Sequence, residues 1–166
     1  MSKISLAGTH LPVLSTLLQE TNGAVNSSVL ELGAGWNSTP LMYWFCKAYG
    51  RHFESWENDK KWVDQMEGLT SYTDDWDITH MPPDSMRWGI VFIDCRPAFK
   101  RKDLAMKYRD LADFVVLHDS EPEIDRFYRY SRIYKHFKYE YHFTKLKPNT
   151  VVLSNFVALY KSKKYT

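Results

Sequence analysis

The sequence has few cysteines, no long apolar run and no segment of biased composition. Its 166 residues include only Cys46 and Cys95, too few for a disulfide framework and without the spacing of a metal site. No apolar stretch approaches the ~20 residues that span a bilayer, and the first residues lack the pattern of a secretion signal. These absences argue against a secreted disulfide scaffold and a membrane protein. They predict a soluble, globular protein of the reducing cytoplasm.

Charge is distributed unevenly along the chain, although the net charge is only +2. Residues 1–121 hold 12 Lys and Arg against 17 Asp and Glu, a net −5, whereas residues 122–166 hold 10 against 3, a net +7. The basic last quarter permits an anionic partner such as nucleic acid, and it equally fits a solvated basic face. Within it, residues 126–138 alternate aromatic and cationic side chains. This composition suits stacking on bases, but we favour a helix packed on a sheet with a basic outer face.

Short apolar runs alternate with helical patterns, which predicts one α/β domain over residues 1–166 with a mostly parallel sheet of about seven strands. Residues 11–19 predict a leading helix. Pro40 in a first turn predicts a helix that begins at Ser38. Ser120 and Glu123 have the spacing of a capping box and predict a helix through Tyr128. Strands are predicted near residues 28–32, 52–56, 69–73, 89–93 and 114–117, with a closing antiparallel hairpin of residues 139–144 and 150–155.

Polar residues follow the predicted strands at the carboxyl edge, where open α/β sheets bind their ligands. Gly33 and Gly35 allow the backbone to turn sharply and to approach a ligand closely, and a helix that begins at Ser38 presents free N–H groups. Glu57 stands 22 residues beyond Gly35, where an acid grips a ribose diol in dinucleotide folds. In chain order, the polar strand ends are Glu31, Glu57, Asp74 with Asp75, Asp94, and His118 with Asp119.

The segment Glu31-x-Gly33-x-Gly35-x-x-Ser38 resembles the first motif of class I S-adenosylmethionine-dependent methyltransferases, and Glu57 matches their ribose-binding acid. The resemblance covers about residues 28–121 and implies a Rossmann-like three-layer sandwich. In that family the glycine loop lies against the methionine and sugar part of the cofactor. The resemblance places the adenine-binding carboxylate and main-chain N–H on Asp75 and Trp76. For Glu31, a structural carboxylate bonded to the turn is the alternative interpretation.

Asp94 and the pair His118-Asp119 resemble the ends of strands four and five in small-molecule O-methyltransferases, some of which bind Mg²⁺ through the corresponding acids. The resemblance implies that these three residues are catalytic or bind the acceptor. The acids could hold Mg²⁺, or His118 could act as a general base. Ser120 stands where the metal-binding pattern has a further acid or amide, so no metal ligand is assigned. The alternative is a polar network that caps the next helix.

Four further residues in or after these motifs are also candidates for a role in the site. Arg96 and Arg101 could receive a substrate carboxylate or phosphate, or form surface ion pairs. Cys95 has no histidine partner in a motif and is expected to be a small residue of the core or rim. Trp36 follows the second loop glycine, where it either covers the cofactor or simply packs.

Together these observations predict an enzyme that transfers a methyl group from S-adenosylmethionine to a small-molecule hydroxyl or carboxyl. The acceptor would be chosen by the leading helix, by a few loops, or by a second subunit of a homo-oligomer. One alternative is a protein that binds S-adenosylmethionine and cleaves or senses it without methyl transfer. Another is a protein that binds or modifies nucleic acid through the basic C-terminal region.

Overall fold

The chain folds around one seven-stranded sheet, as seen in a computed structural model that describes residues 8–76 and 87–158. The strands are β1 Val29–Leu32, β2 Phe53–Glu57, β3 Ser71–Tyr72, β4 Trp88–Ile93, β5 Ala112–His118, β6 Tyr139–Phe143 and β7 Thr150–Ser154. Their order is β3-β2-β1-β4-β5-β7-β6. β1 to β5 pair in parallel, whereas β7 is antiparallel to both β5 and β6. The predicted mostly parallel sheet with a closing hairpin is therefore confirmed.

Helices cover both faces of this sheet. They are α1 Leu11–Glu20, α2 Ser38–Ala48, α3 Lys60–Gln65, α4 Arg101–Tyr108 and α5 Asp125–Tyr128. α1 and α2 share one hydrophobic cluster with the sheet, and α4 belongs to a second cluster. Over residues 8–76 and 87–158, none of the helices has the length and apolarity needed to cross a membrane.

The central strand β4 shows how the layers are held together. Every residue of β4 is buried, as expected for a parallel strand covered on both faces. Ile90 and Phe92 pack in the cluster of α1 and α2, whereas Val91 and Ile93 pack in the cluster of α4. Because side chains alternate along a strand, β4 links both layers and fixes the position of its carboxyl end.

The prediction that a helix begins with a capping box of Ser120 and Glu123 is wrong, although helical turns do extend to Tyr128. A short 3-10 turn, Pro122–Ile124, and the four-residue α5 take its place. Pro122 disfavours a helical conformation in the residue before it, and Glu121 is accordingly extended with φ −67° and ψ 137°. In the part of the chain that the structure describes, Ser120 Oγ has no hydrogen-bond partner. The helix therefore cannot begin at Ser120.

The prediction of one helix over residues 126–138 is also wrong. α5 ends at Tyr128 because Arg129 adopts a left-handed conformation with φ 57°. Two 3-10 turns follow, Tyr130–Arg132 and Tyr134–His136. The buried side chains Tyr130 and Ile133 lie three residues apart, which matches the three-residue repeat of a 3-10 helix. The aromatic spacing correctly indicated packing on the sheet but not the kind of helix.

Candidate functional site

The loop between β1 and α2 is pressed against the end of β4. Gly33 has φ +100°, and a Cβ added there would stand 2.4 Å from the backbone nitrogen of Cys95. Among the described residues, the contact that a Cβ on Gly35 would make is with the Ser38 hydroxyl, at a close 3.0 Å. Gly33 is thus required by the fold itself, whereas at Gly35 the close group is a single side-chain hydroxyl. The close contact at Gly33 also brings the carboxyl ends of β1 and β4 together.

Glu31 lies beneath this loop and is completely buried. Its Oε2 accepts hydrogen bonds from Thr39 and Ser55, each at 2.7 Å, and the Thr39 hydroxyl in turn accepts from the Gly35 backbone N–H. Its Oε1 has no partner within the described ranges. Burial raises the pKa of Glu31 to about 7, although the hydroxyls around it, with that of Ser38 first, oppose the rise. Glu31 therefore supports the loop from below, with one oxygen left unbonded.

Glu57 ties the ends of β1 and β2 together. Oε2 accepts from the Ala34 backbone N–H at 2.9 Å, and Oε1 accepts from Asn58 and Asp59 at 2.7 and 2.8 Å. The side chain is only 7% exposed, so it is not a solvated strand end. A carboxylate offers about four acceptor sites, and three are used here. One site on Oε2 remains for a ligand hydroxyl.

The segment after β3 carries the two residues predicted at adenine. Asp75 is exposed, and its carbonyl oxygen accepts from the Thr73 hydroxyl. The Trp76 indole is buried in the core, and its Nε1 donates to the carbonyl of Arg96 at 2.6 Å. Trp76 thereby anchors this segment beside the end of β4. Trp36, in the glycine loop, is 58% exposed, and its ring centre lies 5.7 Å from that of Trp62 on α3.

Arg101 links the ends of β4 and β5, which corrects both interpretations of this residue. It is only 4% exposed, and its guanidinium pairs with Asp94 at 2.8 Å and with Asp119 at 3.0 Å. It also donates to the carbonyls of Asp94 and Cys95. Burial disfavours the charged form of Arg101. The neighbouring acids, above all Asp94, outweigh this effect and hold the pKa of Arg101 above its usual value. Arg101 is therefore neither a surface residue nor free to bind a substrate. Arg96 is exposed, and Cys95 is buried as expected.

The Mg²⁺ site suggested by the O-methyltransferase resemblance does not fit this arrangement. The Arg101 guanidinium already bridges the carboxylates of Asp94 and Asp119, so a cationic group stands where the ion would be held. Asp119 is further engaged by the Tyr128 hydroxyl, which donates to its Oδ2 at 2.9 Å. Two acids committed to an internal cation do not form the oxygen-rich, hydrated site that Mg²⁺ prefers.

His118 ends β5 with both ring nitrogens in contact with polar groups. Nδ1 lies 3.3 Å from Asp94 Oδ2 and 3.6 Å from Asp119 Oδ1, and Nε2 lies 3.0 Å from the Thr9 hydroxyl. Burial works to lower the pKa of His118, but the two carboxylates, Asp94 first, outweigh it and raise the pKa above its usual value. For Asp94, burial likewise opposes the net change, and His118 and Arg101 together lower its pKa. The structure thus brings Asp94, His118 and Asp119 into one cluster, in which His118 is buried and the two acids are partly exposed.

His10 is a member of this cluster that sequence reasoning missed. It precedes α1, is 7% exposed, and stacks edge-on against His118 with ring centres 4.7 Å apart. Burial, followed by the charge of His118, lowers the pKa of His10 to about 4, so the ring is neutral near pH 7. The only local signal is a histidine just before an apolar helix. Nothing in that signal connects it with a strand end more than 100 residues away.

Comparisons with solved structures identify proteins with the same fold, methyltransferase domains among them. The delta-N METTL16 MTase domain has a TM-score of 0.54 at 10% identity, over 91% of this chain and 84% of that chain. The N-terminal domain of human METTL16 in complex with SAH has a TM-score of 0.53 at 11% identity, over 89% and 69%. WbdD, crystallised with a kinase inhibitor, has a TM-score of 0.60 at 11% identity, over 89% of this chain but only 41% of its own. No protein-family model and no curated protein matches the sequence. At these identities the likeness shows the Rossmann-like fold alone.

Proposed function

We propose that this chain, as one domain over residues 1–166, is an S-adenosylmethionine-dependent methyltransferase. One observation carries the proposal: two buried carboxylates hold the glycine loop through hydrogen bonds. Glu31 does so through Thr39, and Glu57 through the Ala34 N–H. This arrangement occurs in a fold shared with methyltransferase domains, one of them in complex with SAH. It leaves Glu31 Oε1 and one site on Glu57 without a hydrogen-bond partner among the described residues.

These residues fit the parts of the proposed cofactor. The remaining acceptor site of Glu57 suits a ribose hydroxyl, and the glycine loop from Gly33 to Gly35 suits the methionine and sugar part. Ser38 begins the helix at the far side of that loop. Asp75 and the Trp76 backbone N–H are proposed at adenine. The acidic surroundings suit a cofactor that carries a positive sulfonium and no phosphate.

The cluster of Asp94, His118 and Asp119 is proposed to bind the acceptor and to favour loss of its proton. When bound, S-adenosylmethionine supplies an electrophilic methyl group. The chain contributes alignment of the acceptor with that methyl and a place for the proton. The Thr9 hydroxyl gives its hydrogen to the Pro148 carbonyl at 2.8 Å, so Nε2 of His118 must donate to Thr9. Nδ1 of neutral His118, beside Asp94, is then the atom that can accept a proton.

Replacing Gly35 by valine is expected to weaken S-adenosylmethionine binding by about 5- to 150-fold, because overpacking of the loop against the cofactor costs about 1–3 kcal/mol. Gly35 is the suitable position, since a Cβ on Gly33 would also disrupt the fold. Calorimetric titration of the parent and of Gly35→Val with S-adenosylmethionine and S-adenosylhomocysteine measures the effect, with NAD as a control ligand.

The matched control is Ala48→Val, at the exposed far end of α2, which should bind like the parent. Equal affinity of a folded Gly35→Val and the parent contradicts the proposed cofactor site. Mass spectrometry of the spent mixture separates the possible activities. Methyl transfer leaves S-adenosylhomocysteine, cleavage leaves methylthioadenosine, and a sensing protein leaves the cofactor intact.

A small-molecule hydroxyl or carboxyl is our proposed acceptor, and nucleic acid is a second candidate with its own observation. The Arg126 guanidinium lies 4.6 Å from the ring centre of the exposed Phe127, and Arg129 and Arg132 are exposed nearby. A structural neighbour, the hMettl16 catalytic domain, is in complex with the MAT2A 3′UTR hairpin 1.

If this basic surface binds RNA, the logarithm of affinity should fall with the logarithm of salt, with a slope of about −2 for three phosphate contacts. Fluorescence anisotropy of a short single-stranded RNA measures the slope, and Arg126→Gln should reduce it by about 1. Absent or salt-independent binding removes the nucleic-acid candidate and leaves the small-molecule acceptor.

A further inference from the structure

Three donor groups converge where the segment before α1 meets the ends of β4 and β5. His10, Asp94 and His118 each offer one ligand atom, and these atoms all lie within 4.8 Å of one another. Two of the groups are imidazoles, and the carboxylate is held in place through its other oxygen by Arg101. Metal-binding carboxylates commonly have such an outer partner.

The hydrogen bonds of His118 leave Nδ1 as the ligand atom. Nε2 carries the hydrogen, because the Thr9 hydroxyl donates to Pro148 and can only accept from His118. In neutral His118 the lone pair of Nδ1 therefore points at Asp94 Oδ2, 3.3 Å away. Two lone pairs facing each other repel unless a cation lies between them, and a proton or a metal ion satisfies that requirement.

His10 provides a second, separate observation that points to a bound ion. It is 7% exposed, yet neither of its ring nitrogens has a hydrogen-bond partner among the described residues. A buried polar group without a partner is costly, so its retention needs a reason. Both nitrogens of His10 are therefore available to a ligand without the loss of a hydrogen bond to another described residue.

The chemistry of the three groups, and the spacing of His118 and Asp94, indicate the type of ion. With bonds of 2.0–2.2 Å, neighbouring ligands of a tetrahedral zinc ion are about 3.4 Å apart, close to the 3.3 Å between His118 Nδ1 and Asp94 Oδ2. Imidazole nitrogens suit Zn²⁺ and related transition metals, whereas Mg²⁺ prefers oxygen ligands and water. We propose that His10, Asp94 and His118 bind a Zn²⁺ ion.

Three protein ligands leave a coordination position open, as in catalytic zinc sites. A hydroxyl bound at that position loses its proton more readily, and the ion takes over the role of His118 Nδ1. This consequence rests on the proposed function. Zinc binding itself does not, since it can be measured without cofactor or acceptor and holds or fails separately from S-adenosylmethionine binding.

The experiment uses the full chain, freed of metal with a chelator and titrated with Zn²⁺ in a calorimeter. We expect one Zn²⁺ per chain and no comparable binding of Mg²⁺. His10→Gln should weaken Zn²⁺ binding by more than roughly 10- to 100-fold. That range is the cost of losing a residue that only hydrogen-bonds to a metal ligand, whereas His10 is proposed to bind the ion itself. The matched control is His136→Gln, because His136 is exposed and lies outside the cluster. It should bind Zn²⁺ like the parent.

X-ray absorption of the zinc-loaded parent keeps the test decisive even if His10→Gln fails to fold. The expected coordination shell contains two imidazole nitrogens, one carboxylate oxygen and no sulfur. The proposal is overturned if the parent does not bind Zn²⁺, if a folded His10→Gln binds it as tightly as the parent, or if the shell contains sulfur or fewer than two imidazoles.

Discussion

Replacing Arg101 by methionine is expected to lower the free energy of unfolding by about 3–5 kcal/mol. The substitution keeps much of the apolar stem but removes the guanidinium that pairs with both Asp94 and Asp119. Removing the buried partner leaves Asp94 and Asp119, which are only 25% and 20% exposed, with His118 as their remaining cationic neighbour. Urea denaturation at neutral pH, followed by circular dichroism, measures the loss.

Arg109→Met is the matched control, because Arg109 pairs with Asp110 at 2.7 Å on the surface. Exposed pairs of this kind contribute about 0–1 kcal/mol, so the control should change stability little. Adding Asp119→Asn to Arg101→Met should restore part of the loss, since one uncompensated charge is removed. If Arg101→Met and Arg109→Met cost the same, Arg101 does not hold the ends of β4 and β5 together.

Replacing Glu31 by glutamine is expected to remove a pH dependence of about 3 kcal/mol from the stability of the protein. Burial raises the pKa of Glu31 from 4.5 to about 7 in the folded chain. The folded state therefore binds a proton more tightly than the unfolded state. Its stabilising contribution is complete below pH 4.5 and is lost as the pH rises to about 7. Each unit of the pKa difference corresponds to 1.36 kcal/mol.

The measurement is the difference in unfolding free energy between the parent and Glu31→Gln at several pH values from 4.5 to 8. The parent should lose stability relative to the variant as the pH rises. Glu20→Gln removes an exposed carboxyl at the end of α1 and serves as the control, with no such change expected. A constant difference between the parent and Glu31→Gln over this range would mean that Glu31 is not the source of the pH dependence.

The geometry of the proposed cofactor half of the site could be predicted because its signals are local in the sequence. A buried strand, two glycines and a helix with proline in its first turn lie within residues 29–40, and each follows from a short-range rule. Glu57 could also be placed, because the end of β2 must lie beside the end of β1. Its three backbone hydrogen bonds could not be predicted, since they depend on how the two loops meet.

The geometry of the proposed acceptor half of the site could be predicted only in part. Asp94, His118 and Asp119 were expected at neighbouring strand ends, and they do lie together. Arg101 and His10 were missed as members of this cluster because their contacts depend on tertiary packing. A buried arginine looks like a surface arginine in the sequence, and α1 brings His10 to β5 from the opposite end of the chain. The extended residue before Pro122 explains why the following helix was misplaced.

The most direct test of the central claim is a crystal structure of the chain with S-adenosylhomocysteine. We expect the ribose hydroxyls at Glu57, the amino-acid part along the loop from Gly33 to Gly35, and adenine beside Asp75 and Trp76. S-adenosylhomocysteine bound elsewhere, or a site that stays empty at concentrations that saturate known methyltransferases, would contradict the proposed function. The glycine loop would then be only a tight turn.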